Sequence, residues 1–278
     1  MINHKKNTRL LAAETCAVIL AAGLGSRLGP NTKECPKCLV HVSGTPILER
    51  MIDTLASQGV TRIIIAVGYL ADQIRKFVLS RYPGLDIRFV ENPQYASTGS
   101  VFSLDLALDV VVPDLNILLV EGDVVLDSAL MARTLQVAEY APDAATLLAP
   151  YEPSLSGTFA LVNGGIVSAW THESVRANDF PLVSSFKTVN ITFVLKGAPL
   201  TALCEEVKST ISNLGRRAPL EYAMQGLVTK GMQIVAVETT GLKWFEVDTP
   251  EDLAIAENLF GPVSGDQSAG ASELPASL

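Results

Sequence analysis

Residues 17–40 read AVILAAGLGSRLGPNTKECPKCLV, and no other stretch of the 278-residue chain restricts its fold as strongly. Residues 17–22 form a short apolar run without polar alternation, the pattern of a parallel strand buried on both faces. The run breaks at Gly23-Leu24-Gly25-Ser26-Arg27, where glycines let the backbone turn tightly and bring N–H groups against an anion. Arg27 and Lys37 place two permanent cations near the same strand end. A strand, a glycine turn, an arginine and a lysine make a site for a polyphosphate. The turn is not a dinucleotide fingerprint, because the third position is Leu28, with Gly29 one place late. Nor is it a Walker P-loop, since no Gly-Lys-Ser/Thr closes it.

Strand-like and helix-like stretches then alternate. Residues 63–67 read as a buried strand, preceded by a helix over 46–58 that starts at Pro46. A helix over 70–81 stops before Pro83-Gly84, a short strand covers 86–90, and 97–111 reads as a helix after a polar loop. The apolar strand 116–120 stops at Glu121-Gly122-Asp123. This order implies a largely parallel sheet with helices on both faces and ligands beyond the carboxyl ends of the strands. Both the glycine turn and Glu121-Gly122-Asp123 fall at such ends. Residues 159–162 and 166–170 around Asn163-Gly164-Gly165 read as a β-hairpin, and 187–195 alternates like a half-buried strand. Helices over about 200–213 and 220–229 and a strand at 233–237 lead to Trp244-Phe245-Glu246-Val247-Asp248. Thr249 and Pro250 then open a last helix. The expected organisation is one domain over 15–261, with 1–14 and 262–278 as flexible tails and no internal repeat.

Composition narrows the partners. Hydrophobic residues make up 48% of the chain, enough for a sizeable core, while charged residues are 18% and the net charge is −8. That balance argues against a nucleic-acid binder, which would show a basic face. It is compatible with an anionic substrate held by a few local cations and a divalent ion. There is no run of about 18 apolar residues, so no membrane partner is expected. The apolar patch at 10–13 is too short for a signal sequence. Cys16, Cys35, Cys38 and Cys204 are too sparse for a disulfide framework, and a cytoplasmic location is expected.

Two acidic positions carry further chemistry. Asp123 follows an apolar strand and faces the crevice of Arg27, while Glu246 and Asp248, two apart on a strand, share a face. Phosphoryl transfer needs a divalent ion bridging phosphate oxygens, and Mg²⁺ takes one or two carboxylates plus waters. The plain alternatives are a turn residue for Asp123 and a helix cap for Asp248. Cys35-Pro36-Lys37-Cys38 has the spacing of a zinc or redox pair, but only His41 is close by as a further ligand. His4, His41 and His172 have no partner spacing and receive no role.

The run L-A-A-G-x-G-x-R over 20–27, followed by Pro36-Lys37 with Leu39-Val40 behind, resembles the nucleotidyltransferases that activate phosphorylated sugars and alcohols with a nucleoside triphosphate. The resemblance runs over roughly 17–260. It implies an α/β fold: a Rossmann-like, mostly parallel sheet flanked by helices, with a β-rich insertion at the acceptor site. It places Leu20, Ala21, Ala22, Gly23, Gly25, Ser26, Arg27, Lys37, Asn92, Thr98 and Gly122 around the nucleotide. Arg27 and Lys37 would neutralise the reacting phosphates, and Asp123 and Asp248 would hold Mg²⁺. Lys187-Thr188-Val189-Asn190-Ile191 is similar to the K-T-V-N-I/Y segment of cytidylyltransferases acting on phosphocholine-type or phosphonate acceptors. By that likeness Lys187 is a third catalytic cation touching the acceptor, with Tyr95, Ser100, Asn190 and Glu246 around it. Where related loops commonly run Thr-Asn-Asn, this chain has Thr98-Gly99-Ser100, which leaves room for a different acceptor or a loop binding through backbone and hydroxyls.

The expected activity is transfer of CMP from CTP to a small phosphonate or phosphocholine-like acceptor, releasing pyrophosphate. The rivals are a sugar-1-phosphate nucleotidyltransferase using UTP, dTTP or GTP, a molybdopterin cytidylyltransferase, and a catalytically silent nucleotide-binding regulator. A silent domain has no chemical need for Arg27, Lys37, Asp123 and Asp248 together. Assembly into a homo-oligomer stays open.

Overall fold

The computed structural model describes residues 2–261. Helix α1 (Ile2–Ala13) leads into strand β1 (Thr15–Ala21). Where the sequence suggests a leading tail there is a helix, with Ala12 buried and Leu11 packed on the core. The trailing tail expected over 262–278 lies outside the described residues. Strands β2 (His41–Val42) and β3 (Thr45–Pro46) make a small hairpin before α2 (Ile47–Ser57). The alternation continues through β4 (Arg62–Val67), α3 (Ala71–Arg81), β5 (Asp86–Glu91), α4 (Ser100–Leu108) and β6 (Asn116–Glu121). Then come β7 (Val124–Leu126), α5 (Ser128–Ala138), β8 (Ala144–Pro150), and the hairpin of β9 (Phe159–Asn163) and β10 (Ile166–Thr171). The long strand β11 (Phe186–Val194) is followed by α6 (Ala198–Leu214), α7 (Glu221–Thr229), β12 (Ile234–Glu238), β13 (Trp244–Glu246) and α8 (Pro250–Phe260).

One sheet takes nine of these strands in the order β5-β4-β1-β6-β11-β8-β12-β10-β9. Its first four strands are parallel, as βαβ crossovers require. β1 lies inside this group and is covered on both faces. Ala17 and Ile19 join one hydrophobic cluster, Cys16 and Val18 the other. That two-sided burial is why the strand reads as an unbroken apolar run. From β11 onward the pairing is mostly antiparallel, and this half is the β-rich insertion. The hairpin turn has Gly164 at φ 58° and Gly165 at φ 81°, the left-handed pair that a two-residue hairpin turn demands. Helix α8 opens with a full capping box: Thr249 accepts from the Asp252 amide, and the Asp252 carboxylate accepts from the Thr249 amide.

Candidate active site

The carboxyl ends of β1 and β6 are pinned together, since the Gly122 amide donates to the Leu20 carbonyl at 2.9 Å. Beyond β1 the chain turns through Gly23-Leu24-Gly25 into a 3₁₀ segment over Ser26–Thr32. Gly25 has φ 61°, and a Cβ there would lie 2.9 Å from the Lys37 Cβ. Only glycine therefore lets the turn sit directly on Lys37. The Thr32 hydroxyl donates to the Gly25 carbonyl at 2.9 Å and fixes the turn from behind.

Lys37 Nζ donates to Asp123 Oδ2 at 2.5 Å and also pairs with Asp248 Oδ1. Asp248 Oδ2 in turn takes Arg27 at 2.8 Å. Three of these four residues are mostly buried, while the Arg27 side chain is 72% exposed and free to swing onto a ligand. Burial works against the Lys37 ammonium, but the two carboxylates outweigh it and its pKa is raised. Asp248 arrives because β13 pairs antiparallel with β7 and because the Val247 amide donates to the Asp123 carbonyl at 3.0 Å.

A second network lies beside the first. Lys187 Nζ donates to Glu246 Oε2 at 3.0 Å and to the Thr188 carbonyl at 2.8 Å. Asn190 Nδ2 donates to Glu121 Oε2 at 3.1 Å and to Glu246 Oε1 at 3.2 Å. Asn190 stands at φ 61°, where β11 breaks register between Thr188 and Thr192. Asparagine tolerates that conformation, and the break aims its amide at the two glutamates. Glu121, Asp123 and Glu246 offer oxygens that all lie within 4.8 Å of one another. Burial raises the pKa of Glu121 well above its ordinary value, with the charges of Glu221, Asp123 and Glu246 adding to it. Glu246 is raised for the same first reason, although Lys187 opposes the shift. Asp123 Oδ1 is buried and accepts from no donor among the described residues. An all-oxygen, carboxylate-rich cluster with such an orphaned oxygen fits a hard divalent cation.

These groups surround one cleft of about 540 Å³. Its lining includes Leu20, Ala21, Ala22, Gly23, Gly25, Ser26 and Arg27, with Lys37. Tyr95, Thr98, Ser100, Gly122, Asp123, Glu246 and Asp248 also line it. Three expected site residues are not on the lining. Asn92 is buried behind the wall, where its amide donates to Thr98 Oγ1 at 2.9 Å and Ser103 Oγ at 3.0 Å. Lys187 and Asn190 stand behind Glu246 and Glu121 and hold those carboxylates. The lining also contains Glu121, His172, Pro219 and Glu221, to which the sequence assigned no role. Glu121 could have been found from its place at the strand end beside Gly122. His172 and Glu221 carry no local signal. Cys35 and Cys38 are free thiols, and burial pushes the Cys38 thiol up to about 12, which leaves it unreactive.

The profile of the MobA-like NTP transferase domain matches residues 17–184, more than half of the chain. The chain belongs to this family. Among relatives of this transferase domain, a CMP-5'-(3-aminopropyl)phosphonate synthase from Streptomyces rubellomurinus is 33% identical over 88% of the chain and 39% of that protein. A 2-aminoethylphosphonate cytidylyltransferase from Lancefieldella rimae is 43% identical over 36% of the chain and 39% of that protein. The chain thus spans about two fifths of the length of these curated relatives. The fold of the transferase domain is shared with the CTP:phosphocholine cytidylyltransferase of Streptococcus pneumoniae. That structure superposes with TM-score 0.69 at 22% identity, covering 88% of this chain and 98% of that one. The inositol-1-phosphate CTP transferase of T. maritima gives TM-score 0.70 at 19% identity, covering 88% and 94%.

Proposed function

We propose that the protein is a Mg²⁺-dependent cytidylyltransferase that moves CMP from CTP to a small phosphonate or phosphocholine-like acceptor and releases pyrophosphate. The observation that carries this reading is the convergence of Lys37, Arg27, Asp123 and Asp248 at the glycine turn, inside one cleft. The names of the relatives supply the base and the acceptor class.

In the proposed reaction an acceptor oxygen attacks the α-phosphorus of CTP. One P–O bond forms to the acceptor, and the bond between the α-phosphorus and the oxygen bridging to the β-phosphate breaks. The acceptor oxygen is already anionic, so no base is required, and the rate rests on positioning and charge neutralisation. Backbone amides of the glycine turn face the triphosphate. Lys37, doubly paired, and Arg27, mostly exposed, would exchange their carboxylates for phosphate oxygens. Asp123 and Asp248 are the proposed Mg²⁺ ligands, with Glu121 and Glu246 close enough to join Asp123. The ion would neutralise phosphate oxygens and hold them in line. Lys187 and Asn190 keep Glu246 and Glu121 in place. Among the described residues no helix is long and apolar enough to cross a membrane. Four free thiols support our assignment of the reaction to the cytoplasm.

The test is pyrophosphate release with Mg²⁺ across four nucleoside triphosphates and an acceptor panel of 2-aminoethylphosphonate, 3-aminopropylphosphonate, phosphocholine and glucose 1-phosphate. Release with CTP and a phosphonate or phosphocholine is expected. Release with glucose 1-phosphate alone would move the protein to the sugar-phosphate branch. Tight triphosphate binding without turnover would make it a silent regulator.

A further inference from the structure

Five carboxylates line the cleft: Glu121, Asp123, Glu221, Glu246 and Asp248. Four of them are spoken for. Lys37 holds Asp123 and Asp248, Lys187 holds Glu246, and Asn190 donates to both Glu121 and Glu246. Among the described residues Glu221 has no such side-chain partner, although the charges of His172 and Lys187 favour its ionised form. Its Oε2 is sealed from solvent and accepts from no donor among the described residues. A buried carboxylate oxygen left in that state costs stability, a cost that a ligand donor would remove.

Glu221 is also firmly mounted. It is the first residue of α7. The loop that delivers it is tied twice to the Gly99–Ser100 segment. The Leu220 amide donates to Ser100 Oγ, and the Gly99 amide donates to the Arg216 carbonyl, each at 2.8 Å. The permanent cations on the lining, Arg27 and Lys37, sit at the glycine turn, whereas Glu221 adds its charge to the end where Glu121 and Glu246 stand, with Lys187 behind them. Phosphates belong at the first end and a cation at the second.

The kind of cation follows from the lining. A quaternary ammonium donates no hydrogen bond and is recognised by aromatic faces. Among the described residues, Tyr95 is the only Phe, Tyr or Trp on the cleft lining. A primary ammonium carries three N–H donors and would satisfy Glu221 Oε2 directly. Building on the cytidylyl-transfer reading, we propose that Glu221 binds the primary ammonium of a zwitterionic acceptor, an amine joined by a short alkyl chain to a phosphonate or phosphate. Glu221 thereby selects such acceptors over quaternary ammonium ones.

The test compares kcat/KM with CTP for 2-aminoethylphosphonate, its trimethylammonium analogue, and propylphosphonate, in which a methyl replaces the ammonium. Ethanolamine phosphate and phosphocholine repeat the contrast for phosphates. The expected wild-type preference for the primary amine over propylphosphonate is on the order of 100-fold, the usual scale for losing one partner of a buried charge pair. Glu221→Gln should collapse that ratio to within a few-fold, mainly through the acceptor KM, and Glu221→Asp should keep part of it. A ratio unmoved in Glu221→Gln, or a wild type that prefers the trimethylated acceptors, overturns the proposal. So does a higher Mg²⁺ requirement in Glu221→Gln with the ratio intact, which would assign Glu221 to the metal. Should Glu221→Gln fail to fold, the wild-type series still decides. If no acceptor turns over, the transfer reading itself falls. Calorimetry then tests Glu221 separately: tighter binding of 2-aminoethylphosphonate than of propylphosphonate upholds its role, and equal binding overturns it.

Discussion

Lys37→Met is the substitution whose consequences the geometry sets most tightly. Methionine keeps most of the lysine volume and removes its charge. Asp123 Oδ2 and Asp248 Oδ1 both touch the Lys37 nitrogen, so the two oxygens are at most roughly 5 Å apart. At an effective dielectric of about 20, two unit charges at that distance repel by about 3 kcal/mol. The two aspartate side chains are only 17% and 18% exposed, so solvent relieves little of this. In EDTA at neutral pH the variant should lose about 2–3 kcal/mol, which for a domain of this size is a fall in Tm of about 5–10 °C. Mg²⁺ should then act differently on the two proteins. On the proposed assignment the ion would have to displace Lys37 from both carboxylates in the wild type, whereas in Lys37→Met it would meet Asp123 unpaired and Asp248 held by Arg27 alone. The variant should therefore show a larger Mg²⁺-induced rise in Tm and tighter nucleotide-free Mg²⁺ binding by calorimetry. Its pyrophosphate release should nonetheless fall by on the order of 10³-fold, the scale for losing one electrostatic stabiliser of a transition state. An unchanged Tm in EDTA, or a Mg²⁺ response no greater than that of the wild type, would refute the account of Lys37 as the clamp between Asp123 and Asp248.

Three further outcomes follow from the same packing. At Gly99, a Cβ would stand 2.5 Å from the Arg217 carbonyl oxygen. The backbone there is extended, so the clash is purely steric. Gly99→Ala should cost about 1–3 kcal/mol in urea denaturation and raise the acceptor KM by shifting the loop that carries Glu221. Asn190→Ala removes the donors to Glu121 and Glu246 and also strains a residue at φ 61°. Asn190→Gly removes the donors alone and should be the more stable of the two by about 1 kcal/mol; equal urea midpoints would remove the backbone argument. Burial, above all, raises the pKa values of Glu121, Glu221 and Glu246 in the folded chain. The folded state then binds more protons than the unfolded one at pH values between the ordinary glutamate pKa of about 4.3 and the raised values. The contribution of these groups to metal-free stability is therefore fully present below that window and declines as pH rises through it. Glu121→Gln should flatten the decline in Tm measured in EDTA between pH 5 and 8 and raise Tm at pH 7, and an unaltered slope would contradict it.

The parallel half of the fold was readable because its signals are local. β1, β4 and β6 are buried on both faces and show as unbroken apolar runs. Gly164-Gly165 states its own turn, and Thr249-Pro250 opens α8. The stretch holding β7, α5 and β8 was not readable. β8 is AATLLAP, an alanine- and leucine-rich segment that becomes a strand only because β11 and β12 cover both its edges. Helix α4 starts at Ser100, not at residue 97, because residues 97–99 are held out as loop by Gly99 and Arg216. The site divides in the same way. Arg27, Lys37 and the glycines are close in sequence and announce a phosphate site. Asn92 reads as a loop polar group, yet its amide is spent inside the wall. Glu121 and Glu221 are a hundred positions apart and meet only through tertiary structure, so no spacing could have joined them.

The direction of one strand explains why the acidic end of the cleft exists. β11 runs antiparallel to β6, with Ile191 opposite Val120 and Val194 opposite Ile117. Its first half, with Lys187 and Asn190, therefore lies at the carboxyl end of β6, next to Glu121. Had β11 continued the parallel pattern of β1 and β6, those two residues would lie near the amino end of β6, roughly 15–20 Å away at about 3.3 Å per residue. The register break before Thr192 then turns Asn190 toward Glu121 and Glu246, where an unbroken strand would fix its face by strict alternation. The switch from parallel to antiparallel pairing thus brings two parts of the chain to one cleft. The glycine turn and its cations come from the parallel strands, and Lys187, Asn190, Glu246 and Glu221 all come from chain that follows the switch.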